Sequence, residues 1–225
     1  MPIITRQPLL AWMLEQRCFF LFLALLALLL ALAFLGDTVH ARAIFTFVNV
    51  LVLLTAVAAI GRTWFVLIIA VLLGVPALAF RLLALESSLP GHLVLSWGLN
   101  AAFLAFVLGN VLHYVLRRDL MTADKLFGVV VAYILVAVLW AHLHGMLQYF
   151  YPGAYAFGGT AKALNMPELI YFSITTLTTV GFGDITPVLI PSRILTALEM
   201  IQGVMFVALL IARLTGIYVG VATKT

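Results

Sequence analysis

Charge is what this sequence has least of. Lys, Arg, Asp and Glu make up 9% of its 225 residues, whereas soluble domains carry roughly a quarter. Because 65% of the residues are hydrophobic, these few charges cannot form the polar shell that a water-soluble core of this size needs. The composition therefore excludes soluble enzymes and nucleic-acid-binding proteins, and it predicts a membrane protein.

Cysteines and basic clusters are scarce as well. Cys18 is the single cysteine, which excludes an internal disulfide and a cysteine-based metal site of the usual ligand count. The net charge is +4, but the basic residues stand mostly singly between apolar runs. Such charges are typical of membrane topology determinants rather than of a surface for an anionic partner. We expect no cofactor and no nucleic acid partner.

Long apolar runs, in contrast, fill the sequence. A helix needs about 20 apolar residues to cross the hydrocarbon layer, and six runs of about that size are present. They are Cys18–Gly36, Ala43–Gly61, Thr63–Phe80, His92–Leu116, Leu126–Leu147 and Ser192–Val219. A single helix through the short joint at Gly61-Arg62-Thr63 would place Arg62 at mid-membrane, at a cost of about 2.5–3.5 kcal/mol. The pattern therefore predicts six transmembrane helices.

The distribution of basic residues predicts the orientation. With the N-terminus in the cytoplasm, the basic residues inside are Arg6, Arg17, Arg62, Arg117, Arg118, Lys125, Arg213 and Lys224, and those outside are Arg42, Arg81, Lys162 and Arg193. This excess inside favours cytoplasmic termini. A signal peptide cleaved near Ala31-Leu32-Ala33 is the alternative, although its leader and apolar run would be long. Cleavage would leave the later helices oriented as before.

The 45 residues from Gln148 to Ser192 are too long for a simple turn. Their aromatic side chains are interpreted as an interfacial belt; they are Tyr149, Phe150, Tyr151, Tyr155 and Phe157. Pro167-Glu168 opens a short helix, since proline suits the first helical position and a carboxylate suits the positive end of the helix dipole. This helix should end near Thr178, and because it is too short to cross the bilayer, we expect it to be re-entrant.

The run that follows this helix, residues 178–184, is called the filter segment here. It reads Thr178-Thr179-Val180-Gly181-Phe182-Gly183-Asp184. Glycine accepts positive φ, so the two interleaved glycines let successive carbonyls point the same way. Such carbonyls, with the Thr179 hydroxyl, can replace the water shell of a cation. One chain supplies one wall only, so the pattern predicts a homotetramer. A glycine turn between two helices is the bland alternative, but a short helix before the run and a long one after it favour an ion site.

The filter segment, with a short helix before it and a crossing helix after it, resembles the potassium channel signature. The resemblance covers roughly Lys125–Tyr218 and is to six-helix, single pore-loop channels of bacterial type without voltage-sensor arginines. It implies potassium at the carbonyls of Thr179, Val180, Gly181 and Phe182, with Gly183 and Asp184 completing the filter towards the outer mouth. It also implies pore-helix support from Thr175, Thr176 and Thr178, and an inner helix with a hinge at Gly203 and pore-lining Val207 and Ile211.

The resemblance also implies a domain organisation. A cytoplasmic N-terminus (1–17) precedes a four-helix peripheral membrane domain (18–116) and a cytoplasmic connector (117–125). A pore domain of outer helix, pore helix, filter and inner helix (126–219) precedes a cytoplasmic tail (220–225). We expect no cytoplasmic ligand-binding domain after Val219, since six residues follow it.

Two departures from the family pattern affect the filter segment. Phe182 replaces the commoner tyrosine, so no phenolic hydroxyl tethers the filter to the pore helix, and its outer sites are expected to be less rigid. Thr175 stands where some relatives carry a glutamate that pairs with the filter aspartate. Asp184 must therefore find another partner or water.

Glu199 is a polar residue inside an apolar helix, on the same face as Gly203, Val207 and Ile211. We hypothesise that it lies behind the filter near Thr175 or Thr176 and modulates the pore. Since an unpaired buried charge is expensive, it should be neutral or hydrogen-bonded. His142 and His144, two residues apart and so on different helix faces, are interpreted as interfacial or packing residues rather than a shared metal site.

These observations predict an all-α, homotetrameric, potassium-selective channel in a plasma membrane, bacterial in type, with lipid and potassium ions as its partners. The fourth helix lacks the regularly spaced basic residues of a voltage sensor, so we expect voltage-insensitive gating. A weakly selective cation channel is the alternative within transport. A polytopic membrane enzyme or scaffold is the alternative outside it, but no His-Glu-x-x-His or Gly-x-Ser-x-Gly run supports catalysis. Lipid, pH, tension and constitutive opening all remain as gating modes.

Overall fold

The computed structural model describes residues 16–34, 52, 55, 64–86, 90–117 and 122–222. The helices with defined ends are α1 (Arg17–Phe34), α2 (Trp64–Glu86), α3 (Pro90–Val115), α4 (Ala123–Phe150), α5 (Met166–Leu177) and α6 (Ile190–Ala222). The strands are β1 (Tyr155–Phe157), β2 (Thr160–Ala161) and β3 (Ile185–Pro187). Val52 and Thr55 are helical too.

Three helices in this part of the chain are long and apolar enough to cross a membrane: Gly91–Val115, Ala123–Phe150 and Ile190–Arg213. They correspond to the fourth, fifth and sixth predicted helices. Shorter apolar helices lie at Arg17–Ala31 and Ile68–Phe80, within the first and third predicted helices. The second predicted helix, apart from Val52 and Thr55, and the joint at 61–63 lie outside the described residues.

The third apolar run ends at Phe80, but the helix that contains it is longer. α2 continues through Arg81 to Glu86, because arginine and leucine are good helix formers and nothing in this stretch breaks the helix. The charge of Arg81 ends an apolar run without ending the backbone hydrogen bonding. A membrane boundary and a helix end are thus separate events in this sequence.

The chain divides into two compact units, Met1–Val136 and Ala137–Thr225. In the first, buried apolar side chains come from α1, α3 and α4; among them are Leu21, Leu25, Phe103, Val107 and Val131. A Cβ built on Gly128 would lie 2.8 Å from a Val115 methyl carbon and 3.2 Å from the Cys18 sulfur. Gly128 therefore marks a close contact among these three helices.

Asp124 is the polar centre of the first unit. Its Oδ1 accepts from the main-chain amides of Cys18 (2.9 Å) and Phe19 (3.2 Å), and its Oδ2 accepts from the Tyr114 hydroxyl (3.0 Å). These amides belong to the first turn of α1, which has no partners of its own for them and carries the positive end of the helix dipole. One carboxylate thus caps α1 and ties it to α3 and α4.

The second unit contains a small antiparallel sheet between its helices, with strand order β2-β1-β3. Phe157 pairs with Thr160 on one side and with Ile185 on the other. The prediction of an all-α chain is therefore wrong for the three strands, Tyr155–Phe157, Thr160–Ala161 and Ile185–Pro187. The strands are two or three residues long, too short to produce an alternating hydrophobic pattern.

We predict that Asp124→Ala lowers the thermal stability of the purified protein in detergent. The substitution leaves two amides and a phenol without their acceptor, at an expected cost of about 1–3 kcal/mol. Asp124→Asn keeps an acceptor oxygen in the same place and is the matched control, with a smaller loss. Equal melting temperatures for Asp124→Ala and wild type would contradict this capping role.

Candidate functional site

α5 begins with a complete capping box. The Glu168 amide donates to Asn165 Oδ1 and the Asn165 amide donates to Glu168 Oε2, both at 2.9 Å. Pro167 occupies the first turn, where its missing N–H leaves no donor unpaired. The predicted start at Pro167-Glu168 is confirmed to within a residue, and Asn165 is the cap that the sequence reasoning did not identify.

The filter segment has alternating backbone conformation directly after α5. Its φ values are 59° at Thr179, 52° at Gly181 and 81° at Gly183, all in the left-handed region. Positive φ at both glycines, expected from the sequence, is confirmed. Positive φ at Thr179 was not expected, because this conformation is costly for a residue with a branched Cβ.

Amide groups of the filter segment are bonded back to the last turn of α5. The Thr179 amide donates to the Thr176 carbonyl at 2.9 Å. The amides of Val180 and Gly181 both donate to the Thr175 carbonyl, at 2.9 and 3.1 Å. These donors satisfy carbonyls that a helix C-terminus leaves without partners. The C-terminal end of α5 therefore holds the amides of Thr179, Val180 and Gly181.

The carbonyls of residues 179–182 are left available. Within the part of the chain that the structure describes, no protein donor bonds to them. The neighbouring side chains of Val180 and Phe182 are 56% and 71% exposed. One chain thus offers four carbonyl oxygens without a protein donor and an apolar surface that it does not itself cover.

Phe182 and Asp184 both lie beside Tyr171 of α5. The rings of Phe182 and Tyr171 are parallel within 4°, with centroids 6.3 Å apart. Partial burial and the neighbouring Asp184 carboxylate raise the pKa of the Tyr171 hydroxyl. Thr175, in contrast, donates its hydroxyl to the Phe172 carbonyl of its own helix. Tyr171 is therefore the neighbour that the sequence reasoning required for Asp184 but did not name.

The end of the filter segment is fixed by the sheet. The Gly158 amide donates to the Asp184 carbonyl at 2.8 Å, and Ile185, the next residue, pairs with Phe157. Gly158 and Gly159 have φ values of 56° and 82° and form the two-residue turn of a hairpin. A Gly-Gly pair between short β-forming segments is a hairpin signal, and it was available in the sequence.

The interfacial interpretation of the aromatic residues is wrong for Tyr155, which is 0% exposed. Its side chain lies beneath β1 and contacts His144 and Phe172, with ring centroids 5.5 Å from each. Burial raises the pKa of its hydroxyl. The other four aromatic residues of the proposed belt are exposed: Tyr149, Phe150, Tyr151 and Phe157.

Gly203 is where α6 touches α5. A Cβ at this position would lie 2.0 Å from the Leu177 carbonyl oxygen, so only glycine lets the two helices approach this closely. α6 is a continuous helix through this residue. The resemblance assigns Gly203 a hinge role, and the structure gives it a packing role as well.

Glu199 is fully buried one turn before Gly203. Its carboxyl contacts the Ser173 hydroxyl and lies 2.8 Å from His144 Nε2. The expectation that it lies near α5 and is hydrogen-bonded is confirmed, and its partner on this helix is Ser173 rather than Thr175 or Thr176. Since Gly203 meets Leu177, a step of four residues back along both helices brings Glu199 to Ser173.

His144 is likewise fully buried and bonds Glu199 and Tyr155. Its role exceeds simple packing, whereas His142 faces its own helix, with Nδ1 2.8 Å from the Val138 carbonyl. Among the described residues, no group of three or more His, Cys, Asp or Glu could hold a metal ion. His144, Tyr155 and Ser173 are thus site residues that the sequence reasoning missed, since they are distant in sequence and ordinary in type.

The remaining predicted site residues fall into two groups. Thr175 and Thr176 are buried at the end of α5, and Thr178 is exposed, with its hydroxyl 2.7 Å from the Ile174 carbonyl. Val207 and Ile211 of α6 are exposed at 44% and 59%. Both side chains are thus largely accessible in the single chain.

Residues 126–219 match a protein-family model described as "Ion channel". This range runs from α4 almost to the end of α6 and includes α5, the sheet and the filter segment. Comparisons with curated proteins and with solved structures give no match. The family match and the apolar helices of membrane-spanning length together define a membrane protein with an ion channel domain.

We predict that Gly203→Ala disrupts this domain. Its methyl group would overlap the Leu177 carbonyl, which is main chain and cannot rotate away, so α6 must move off α5. Gly109→Ala in α3 is the matched control, since nothing lies within 4 Å of its Cβ and alanine is the better helix former by about 0.5–1 kcal/mol. Melting temperatures in detergent should fall for the first variant and hold or rise for the second. Equal melting temperatures for the two variants would contradict the close-contact role of Gly203.

Proposed function

We propose that the protein is a potassium-selective channel that conducts passively. The observation that supports this best is the filter segment itself, where positive φ at alternate residues accompanies amides bound to α5 and carbonyls left free. A dehydrated potassium ion needs a cage of such oxygens to replace its water shell. The family match at residues 126–219 supports an ion channel, and potassium is the cation proposed for it.

A homotetramer is part of the proposal. One chain supplies one row of carbonyls, and closed rotational symmetry is the usual way to complete a ring from identical chains. Large apolar side chains on α6 are exposed in the single chain and support contacts of this helix with neighbouring chains and with lipid. They include Ile194, Leu198, Ile201, Val204, Leu209 and Ile211. Exposed apolar surface of this extent is typical of contacts with neighbouring chains or lipid.

We further propose six transmembrane helices with both termini in the cytoplasm of a bacterial-type plasma membrane. α1 to α3 and the helical Val52 and Thr55 belong to the first four, which act as a scaffold. The C-terminal ends of four α5 helices would direct their negative dipole ends towards the ion path, which favours a cation. No reaction chemistry enters this mechanism, because the ion exchanges one set of oxygen ligands for another.

Ion flux from liposomes tests the proposal, with potassium and sodium gradients compared. We expect selective potassium flux from the wild type and its loss in Gly181→Ala, because a Cβ disfavours the positive φ that aligns the carbonyls. Gly153→Ala is the matched control: its φ is 80° and its Cβ also meets open space, but it lies outside the filter segment. Selective flux that persists in Gly181→Ala would refute the assigned filter, and a monomer in detergent would refute the pore.

We predict gating that is nearly independent of voltage. α3 carries His92 and His113 as its basic residues, and Arg117 follows its end. Voltage sensors move three or four charges per subunit, each worth about 2.3 kcal/mol per 100 mV, and α3 has no comparable series. Conductance recorded in planar bilayers over a symmetric voltage range should change only gradually. A steep sigmoidal dependence would contradict the scaffold role of the first four helices.

A further inference from the structure

Four buried polar contacts form a continuous path through the second unit. Tyr155 Oη lies 2.6 Å from His144 Nδ1, and His144 Nε2 lies 2.8 Å from Glu199 Oε2. Ser173 Oγ contacts Glu199 Oε1 and lies 2.6 Å from the Ala137 carbonyl oxygen. The first four of these residues are 0% exposed. The path therefore joins β1, α4, α6 and α5 without access to water.

The number of protons in this path follows from its acceptors. The Ala137 carbonyl has no proton, so the Ser173 hydroxyl must donate to it. Ser173 Oγ must then accept from Glu199, which requires a proton on the carboxyl. Glu199 Oε2 accepts from His144 Nε2–H, and the unprotonated Nδ1 accepts from Tyr155. Every contact receives one proton, and every group is uncharged.

An ion pair between Glu199 and His144 fits the contacts less well. A carboxylate has no proton to give, so the single Ser173 proton would have to serve both the Glu199 and Ala137 oxygens. Two oxygens would then face each other at hydrogen-bond distance with nothing between them. A buried polar group that lacks its hydrogen bond costs about 1–3 kcal/mol, and here no water can replace it. The uncharged form satisfies all four contacts.

Both ends of the path support the filter segment. Tyr155 opens β1, which pairs with β3 directly after Asp184. Ser173 lies in α5, two residues before the Thr175 carbonyl that holds two filter amides. The path thus connects the sheet, which holds the chain directly after Asp184, with α5, which holds the amides at the start of the filter segment.

We propose that Tyr155, His144, Glu199 and Ser173 are positioning residues for the filter segment, joined in one uncharged, directed hydrogen-bond chain whose proton on Glu199 can be lost. The inference rests on the proposed function for its effect on flux, but the chain itself does not. Loss of that proton at alkaline pH leaves Ser173 with one proton for two acceptors. Selective flux should therefore decline at alkaline pH.

Other titratable groups around the chain are few in the described residues. His144 and Tyr155 belong to it. His142, on another face of α4, contacts the Val138 carbonyl, and Glu168 pairs with Lys162 at the exposed start of α5 (2.6 Å). Ser173 is the group from α5 that reaches Glu199. Glu168 is therefore a suitable control carboxyl, since it is paired with a lysine and accessible to water.

Infrared spectroscopy of the protein in liposomes tests the chain without any need for conduction. We expect the carbonyl stretch of a protonated carboxyl in the wild type at neutral pH and its loss in Glu199→Gln, while Glu168→Gln leaves it in place. Ser173→Ala should shift this band to higher frequency, because it removes the acceptor of the carboxyl proton, and it serves if Glu199→Gln fails to fold. Absence of the band, or a band that Ser173→Ala does not move, would overturn the uncharged chain.

Flux measured against pH tests the positioning role. A glutamine at position 199 can accept from His144 and donate to Ser173, so Glu199→Gln should keep selective flux at neutral pH and lose the alkaline decline. Glu199→Leu, which makes neither bond, should lose potassium selectivity. An alkaline decline unchanged in Glu199→Gln, or full selectivity in Glu199→Leu, would overturn the positioning role. No flux from the wild type, with the infrared band present, would instead refute the proposed function.

Discussion

The Thr175 carbonyl oxygen is the acceptor on which the filter segment depends, since it receives the amides of both Val180 and Gly181. A segment that leaves its carbonyls free has to place its amides elsewhere, and a helix C-terminus has spare acceptors at its last turn. The pairing satisfies both elements at once. The short length of α5, the positive φ values after it and the absence of regular strand pairing in the segment all follow from this one arrangement.

The parts of the molecule that depend on local sequence were predictable. Apolar length gives α3, α4 and α6, proline and glutamate give the start of α5, and glycine gives positive φ at Gly181 and Gly183. What could not be predicted depends on long-range contacts. Positive φ at Thr179 is imposed by the bonds around it rather than by the conformational preference of threonine. The partner of Glu199 depends on the register between α5 and α6, and a shift of two residues along α5 separates Ser173 from Thr175.

The structure also provides substitutes for the two supports that the sequence lacks. Tyr171 stacks on Phe182 and lies beside Asp184, so one residue of α5 contacts two positions of the filter segment. The sheet adds a third support through the Gly158 amide on the Asp184 carbonyl. The Gly158-Gly159 pair indicates the hairpin from local sequence alone. The pairing of β1 with β3 joins residues distant in sequence, so the position of this hairpin next to the filter segment could not be predicted.

The contact between Gly203 and the Leu177 carbonyl also provides a point about which the rest of α6 can tilt. The part of α6 before Gly203 is held against α5, whereas the part after it extends to Ala222, about 28 Å at 1.5 Å per residue. A tilt of about 10° at this contact would displace the Ala222 end of α6 by about 5 Å, while the part of α6 before Gly203 stays in place. A movement at the far end of the helix would thereby be mechanically separated from the filter segment.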